Sequence, residues 1–448
     1  MESVLVANRG EIARRIIRTA KRLGIRTVAV ASDADTDLPY AREADVAVGL
    51  GDPSPAASYL DAERILDIAV QYDAQAIHPG YGFLSENADF AEAVTNAGVL
   101  WVGPDPDAMR AMGDKARSRK LMAEAGVEVA AGSLEALPDV DAALTMARDI
   151  GYPVMVKATA GGGGIGMSAA FDDEGLRAAY DTARSRAERF FSDPGLILER
   201  YVERARHLEV QILGLADGQV IALGVRDCSV QRRHQKVIEE SPPANVTPDL
   251  VERLSALAIR AGTAVSYRNA GTVETLYDVD RDEVVFLEMN TRLQVEHPVT
   301  EMVTGLDLVE EQLRIASGSP PTFDPAVAVR SQGHAIEMRL YAEDSLRFLP
   351  RPGTITSWVM PAGPDVRVDA GYAEGNTVST FYDPLLAKIV VWGADRGEAR
   401  LRAQIAVDGI EVTGPQCNAA FLAEVLADPE FAAGGYDTGV VSRIIARR

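Results

Sequence analysis

Short apolar runs and amphipathic stretches alternate from the first residues to the neighbourhood of Trp101. Residues 3–7 form an unbroken apolar run after Ser3, the pattern of a buried strand, and residues 11–23 carry apolar positions at helical spacing. Residues 27–32 predict the next strand and residues 61–72 the next helix, and Ala76-Ile77 leads into the loop His78-Pro-Gly-Tyr-Gly-Phe83. Strands alternating with helices predict a parallel, doubly wound (Rossmann-like) sheet, which binds ligands at the carboxyl ends of its strands. Asn8-Arg9-Gly10 falls at such a place but lacks the GxGxxG pattern, so a dinucleotide is not expected there.

The pattern changes after Asp114. A helix is expected over 115–125 and a strand over 153–157, followed by a glycine run. Alternating segments at 208–214, 220–224, 271–276 and 284–289 predict a β-rich region. The Pro-rich stretch Ser319-Pro-Pro-Thr-Phe-Asp-Pro325 marks a boundary, and beyond it come short strands, the turn Leu349-Pro-Arg-Pro-Gly353 and a helical end. The chain thus predicts α/β followed by α+β architecture: an N-terminal α/β domain, a central nucleotide domain with a mobile lid, and a C-terminal α+β domain.

Composition narrows the partners. With 45 basic and 66 acidic residues the 448-residue chain carries a net charge of -21, which repels nucleic acid and anionic membrane. Anionic substrates therefore need local cationic clusters. The two cysteines, Cys228 and Cys417, form no CxxC pair, which excludes a disulfide framework and fits a cytoplasmic location. No apolar run approaches the ~20 residues of a membrane span, and the N-terminus does not read as a signal peptide. Only Lys21, Lys115, Lys120, Lys157, Lys236 and Lys388 are lysines in a chain whose default cation is Arg. A retained Lys points to a place where a compact ammonium is needed.

Three segments carry chemistry. In Lys157-Ala-Thr-Ala-Gly-Gly-Gly-Gly-Ile-Gly-Met167 the glycines let backbone N–H groups approach phosphate oxygens, and Lys157 supplies a point charge. Glycines alone would equally suit a flexible hairpin, and no Walker A lysine follows. In Glu288-Met-Asn290-Thr-Arg292-Leu-Gln294-Val-Glu296 every second residue is polar, so a strand would put all five side chains on one face. Glu288 and Asn290, with Glu274 on a neighbouring segment, offer hard oxygens to Mg2+, and Arg292 a clamp for a small oxyanion. Arg226 to Glu240 gathers four cations and His234 into a candidate anion site, the alternative being a basic surface run. No histidine pair has zinc-ligand spacing, His334 reads as structural, and Cys228 as a small buried thiol.

Taken in order, these segments resemble the biotin carboxylase family of the ATP-grasp superfamily. The matches run through Asn8 to Ala13, His78 to Asn87, the glycine loop, Arg226 to Lys236, Glu288 to Glu296, Gly333 to Arg339 and Ala342 to Asp344. The resemblance implies an ATP-grasp fold in three domains, 1–112, 113–330 with a lid at about 130–203, and 331–448. It implies carboxylation of a carrier protein's biotin from bicarbonate and MgATP (Mg2+ or Mn2+) through carboxyphosphate. Lys115, Lys157, Gly163 and Gly164 match the phosphate contacts, and Glu199, Val202, His207, Gln231 and His234 the other ATP contacts. Glu274, Glu288 and Asn290 match the metal ligands, and Lys236, Arg292, Gln294 and Val295 the bicarbonate pocket. Glu296 matches the general base and Arg339 the cation that steadies the biotin enolate, with Tyr81 and Gly82 near the biotin.

Ile165 replaces the basic residue usual in the family's glycine loop, and no Met-Lys-Met carrier motif occurs. Expected partners are a separate biotin carboxyl carrier protein, a carboxyltransferase subunit and a second copy of the chain. Another ATP-grasp ligase joining a carboxylate to an amine, or a non-catalytic nucleotide-binding subunit, are the competing readings.

Overall fold

The computed structural model describes residues 1–159, 167–191, 193–327 and 329–448; Gly163, Gly164 and Ile165 lie outside them. The N-terminal region folds as the apolar alternation predicts. Ser3–Val6 is the middle strand of a five-stranded parallel sheet ordered Val46–Gly51, Arg26–Ser32, Ser3–Val6, Ala76–His78, Leu100–Trp101. Val4, Leu5 and Val6 are fully buried, as a strand covered on both faces requires. Helix Gly10–Arg22 buries Ile12, Ala13, Ile16, Ile17 and Ala20, the stripe its spacing predicts. The loops after Val6 and after His78 leave the sheet at the carboxyl ends of adjacent parallel strands.

Residues 140–200 hold a smaller unit with an apolar core of its own. Strands Met167–Ala170, Val154–Ala158 and Leu196–Arg200 form its antiparallel sheet, and helices Val140–Ile150 and Asp173–Phe191 cover it through Leu144, Leu176 and Tyr180.

The largest element is an eight-stranded antiparallel sheet. Its order is Glu283–Asn290, Asn269–Asp278, Ala205–Gly214, Val220–Arg232, Gln235–Ser241, His334–Tyr341, Leu385–Gly393, Val366–Ala370. The sheet runs without a break across the Pro-rich stretch at 319–325, because Gln235–Ser241 pairs directly with His334–Tyr341. That boundary in the sequence is therefore not a sheet edge.

One expectation is overturned. Strand Glu283–Asn290 ends at Asn290, so the polar alternation from Glu288 to Glu296 is not one strand face. The chain turns into a loop and then into helix His297–Thr304, whose first turn contains Pro298. Pairing with Asn269–Asp278 ends at Asn290, and Pro298 suits the first turn of the helix that follows. Leu293, Gln294 and Glu296 are nonetheless buried, because the loop folds back over the sheet.

Candidate active site

Sheet register assembles the site. Arg226 lies opposite Glu209, Glu209 opposite Glu274, and Glu274 opposite Glu288, a row across four strands. Cross-strand partners share a face, so one cation and three carboxylates crowd together, Arg226, Glu209 and Glu274 buried and Glu288 half-buried. Such a row persists only if its charges are matched. Arg226 Nε donates to Glu209 Oε1 at 2.5 Å, while Lys236 Nζ reaches Glu209 Oε2 at 2.6 Å, Glu274 Oε1 at 2.8 Å and Glu296 Oε1 at 2.6 Å. Burial works against the Lys236 charge, but the three carboxylates outweigh it and hold the ammonium well above the ordinary lysine range. Burial likewise opposes ionisation of Glu296, yet Lys236, Arg339 and Arg226 together pull its pKa below the carboxylate range.

Glu209 is absent from the residues that the sequence nominates. Its signal was there: His207, Glu209 and Gln211 alternate with apolar residues, a polar strand face that is entirely buried.

The loop that replaces the expected strand still delivers its side chains. Gln294 Nε2 donates to Glu274 Oε1 at 2.8 Å, and Asn290 Nδ2 to the same oxygen at 2.9 Å. Arg292 Nε meets Glu86 Oε2 at 3.0 Å and its Nη2 meets Asn290 Oδ1 at 3.1 Å. Glu86, a second residue not nominated from sequence, thus sets the Arg292 guanidinium from the loop after His78. The Val295 carbonyl accepts from Lys388 Nζ at 2.8 Å, so a fully buried lysine from the C-terminal region anchors the loop backbone. Arg339 Nη2 lies 2.9 Å from Glu296 Oε2.

The basic run divides. Arg226 belongs to the carboxylate row, Arg232 pairs with Glu343 at 2.5 Å, and Lys236 reaches the centre. Arg233 and His234 form the hairpin turn, both with positive φ (50° and 68°). The flanking strands bring Arg226 and Lys236 together on Glu209, while Arg232 is drawn away to Glu343.

A second cluster lies toward the glycine run. The Glu199 carboxylate, expected as an ATP contact, binds Lys157 and accepts from Arg119 Nη1 at 2.9 Å, all three side chains being buried. Lys115 opens helix Lys115–Glu124, and its amide donates to Thr159 O at 3.2 Å, tying it to the end of the strand that carries Lys157. Burial foremost lowers the Lys115 pKa, with Glu288 opposing and Lys157 adding. His234 is lowered by burial and then by Lys157. Gln231 Nε2 bonds His207 Nδ1 at 2.7 Å, and His207 Nε2 stands 3.1 Å from Glu274 Oε2. Val202 is buried just beyond Glu199.

The third side of the site comes from the parallel sheet. Asn8 Nδ2 donates to Pro79 O at 2.7 Å and to Tyr81 O at 2.8 Å, pinning the loop with Tyr81 and Gly82. Gly80 permits this approach: its φ is +65°, and a Cβ there would meet Asn8 Nδ2 at 2.9 Å. The Tyr81 hydroxyl bonds Glu11, which lies 3.2 Å from Lys388 Nζ.

Outside this centre, His334 Nε2 bonds Glu240 at 2.8 Å; within it, Cys228 is a buried thiol raised by burial, its Sγ 3.9 Å from Glu296 Oε1. Among the described residues no helix is long and apolar enough to cross a membrane.

Comparison with known proteins extends over the whole chain. Residues 1–109 match the family described as Biotin carboxylase, N-terminal domain; 114–322 match Carbamoyl-phosphate synthase L chain, ATP binding domain; and 337–443 match Biotin carboxylase C-terminal domain. The chain is 48% identical over 435 residues to biotin carboxylase 2 of Bacillus subtilis, covering 97% of this chain and 98% of that one. Its fold superposes on the Campylobacter jejuni biotin carboxylase β,γ-ATP complex with a TM-score of 0.96, at 42% identity over 99% of this chain and 98% of that one. The biotin carboxylase domain dimer of Hydrogenobacter thermophilus 2-oxoglutarate carboxylase, in complex with MgADP, ADP and bicarbonate, gives a TM-score of 0.95 at 41% identity, covering 99% and 98%.

Proposed function

The chain belongs to the biotin carboxylase family, and we propose how its residues divide the work of ATP-dependent biotin carboxylation. One observation carries the assignment: Glu296 has Lys236 on one oxygen, at 2.6 Å, and Arg339 on the other, at 2.9 Å. A single carboxylate thereby touches the cations of both halves of the reaction.

Lys115 and Lys157, with the amides of Gly163 and Gly164, hold the nucleotide phosphates. Glu199, Val202, His207, Gln231 and His234 complete the ATP site. Glu274, Glu288 and Asn290 fit a hard divalent cation. Burial raises the Glu288 pKa and Glu274, opposite it, raises it further, so a divalent cation would relieve a repulsion already built in. Bound Mg2+ supplies neutralisation of charge on the phosphoryl group being transferred.

Lys236, Arg292, Gln294 and Val295 hold bicarbonate, and Glu296 takes its proton as an oxygen attacks the γ-phosphorus of ATP. ADP leaves, and the product is carboxyphosphate. Its breakdown yields CO2 and a phosphate that removes the ureido proton of biotin. Arg339 steadies the resulting enolate beside Tyr81 and Gly82. The division into 1–112, 113–330 and 331–448, with 130–203 closing over the nucleotide, serves to exclude water from carboxyphosphate. The biotin arrives on a separate carrier protein, and a carboxyltransferase subunit consumes the product. We further assign a cytoplasmic homodimer.

The decisive experiment splits the two halves. Arg339→Ser should retain bicarbonate-dependent ATP hydrolysis and fail to carboxylate free biotin, whereas Glu296→Ala should lose both, each loss being about 100-fold or more. Parental biotin carboxylation by Arg339→Ser sinks the assignment.

A further inference from the structure

Behind Arg339 lies a pair of acids that the assignments above leave unused. Strand Gln235–Ser241 runs antiparallel to His334–Tyr341, and its register sets Glu239 directly opposite Glu337. Both are fully buried, and none of their four carboxylate oxygens has a hydrogen-bond partner. Like charges opposite one another in a ladder repel, and in a dry interior the repulsion is strong.

The cations nearby are too few for both acids to be ionised. Arg339 follows Glu337 by two positions on the same face. Its Nη2 is 2.5 Å from Glu239 Oε1, without an aligned hydrogen bond, and 2.9 Å from Glu296 Oε2. Lys388, opposite Arg339 on the next strand, is taken by Glu11 at 3.2 Å and by the Val295 carbonyl at 2.8 Å. Lys236 is shared among Glu209, Glu274 and Glu296. Among the described residues Glu337 forms no ion pair at all. The groups that face it are Glu239, Arg339, Glu296 and Lys388, with Tyr81 and Glu11 beyond.

We propose that Glu337 is a positioning residue for the biotin half-reaction: it carries a proton at neutral pH, and its neutrality keeps the positive field of Arg339 available to a substrate oxyanion. An ionised Glu337 would put a third carboxylate around that guanidinium and cancel the charge that an enolate needs. Burial, foremost, and then Glu239 favour the protonated acid, while Lys388 and Arg339 oppose it without prevailing. Glu239, which does have Arg339, is pushed up only to about 7, again chiefly by burial. The proton therefore belongs to the member of the pair without a cation.

This inference rests on the role given to Arg339, and two measurements separate the two. Infrared titration of the unmodified chain in D2O should show a carboxylic-acid C=O stretch at neutral pH that is weaker in Glu337→Gln. Glutamine imitates the protonated acid, so Glu337→Gln should keep kcat/KM for free biotin within a few-fold of the parent at neutral pH, and its ratio to the parent should rise wherever Glu337 ionises. The same ratio for bicarbonate-dependent ATP hydrolysis without biotin should stay level. Absence of the acid band in the unmodified chain overturns the inference even if the variant fails to fold. A band of equal strength in Glu337→Gln overturns it as well, and so does a Glu337→Gln enzyme that keeps bicarbonate-dependent ATP hydrolysis but loses biotin carboxylation at neutral pH. A chain that has the band yet carboxylates no biotin means that the functional reading has failed instead.

Discussion

The two clusters of the candidate site are built from the same residue types in opposite proportion. Toward the glycine run, among the described residues, two cations, Lys157 and Arg119, converge on one carboxylate, Glu199. Along the central sheet, Glu209, Glu274, Glu288 and Glu296 meet Lys236, Arg226 and Arg339, leaving negative charge in excess. In low dielectric the first end suits a polyphosphate and the second a divalent cation, as proposed above. The difference teaches how an acidic protein binds anions, by withholding carboxylates from one end of the site and concentrating them at the other.

The harshest way to break this contrast is Lys236→Met. It strips the ammonium from three buried carboxylates, which should cost about 3–5 kcal/mol of stability and at least ~100-fold in bicarbonate-dependent ATP hydrolysis. Urea unfolding alongside a coupled ATPase assay reads both, and parental values in either would mean that the cluster is not electrostatically tied to Lys236.

Next in size, Glu288→Gln should raise the barrier for phosphoryl transfer by on the order of 3 kcal/mol while leaving stability equal or higher. The sign follows from a raised folded-state pKa. Stability from such a group is full below its unfolded value and is lost as pH rises through the folded one, and Gln suffers no such loss. The variant should therefore gain on the parent in urea melts over the range that opens as pH rises above the ordinary unfolded carboxylate value. A variant that loses ground over that range contradicts the placement of Glu288 against Glu274.

At the opposite end, Glu199→Gln releases Lys157 and Arg119. The Glu199 pKa is lowered because burial, which opposes ionisation, is outweighed by Lys157 and Arg119. Its stabilisation is present above the unfolded carboxylate value and disappears as pH falls through the folded one. Because Glu199 is itself assigned as an ATP contact, its loss should outweigh the freed positive charge: we expect KM for ATP to rise roughly tenfold, the worth of about one charged hydrogen bond, with KM for bicarbonate little changed. Equal shifts in both would erase the distinction between the two ends.

The smallest effect belongs to Lys120, which pairs with Glu135 on the exposed surface at 2.9 Å. Lys120→Ala should leave both KM values and turnover within error of the parent. A marked loss would extend the positive end beyond Lys115 and Lys157.

Much of this was written locally. Apolar alternation with helical spacing was enough for the parallel sheet and for helix Gly10–Arg22, because burial on two faces or one stripe is a property of neighbouring residues. Lys157 beside glycines, Glu274 and Glu288 as charges on apolar strands, and Lys236 within a run of cations in an acidic chain could be nominated for the same reason. Register could not be read this way. Glu209 opposite Glu274, Glu239 opposite Glu337 and Lys388 on the Val295 carbonyl join segments far apart in the chain. Whether residues 291–296 continue a strand was likewise undecidable from period two, since a buried loop can alternate in the same way. The sequence by itself determined which residue types were present, in which elements, and hence the family and its chemistry. Tertiary structure alone decided which charges face each other, because a charge's worth depends on its distance to partners and on the water excluded between them.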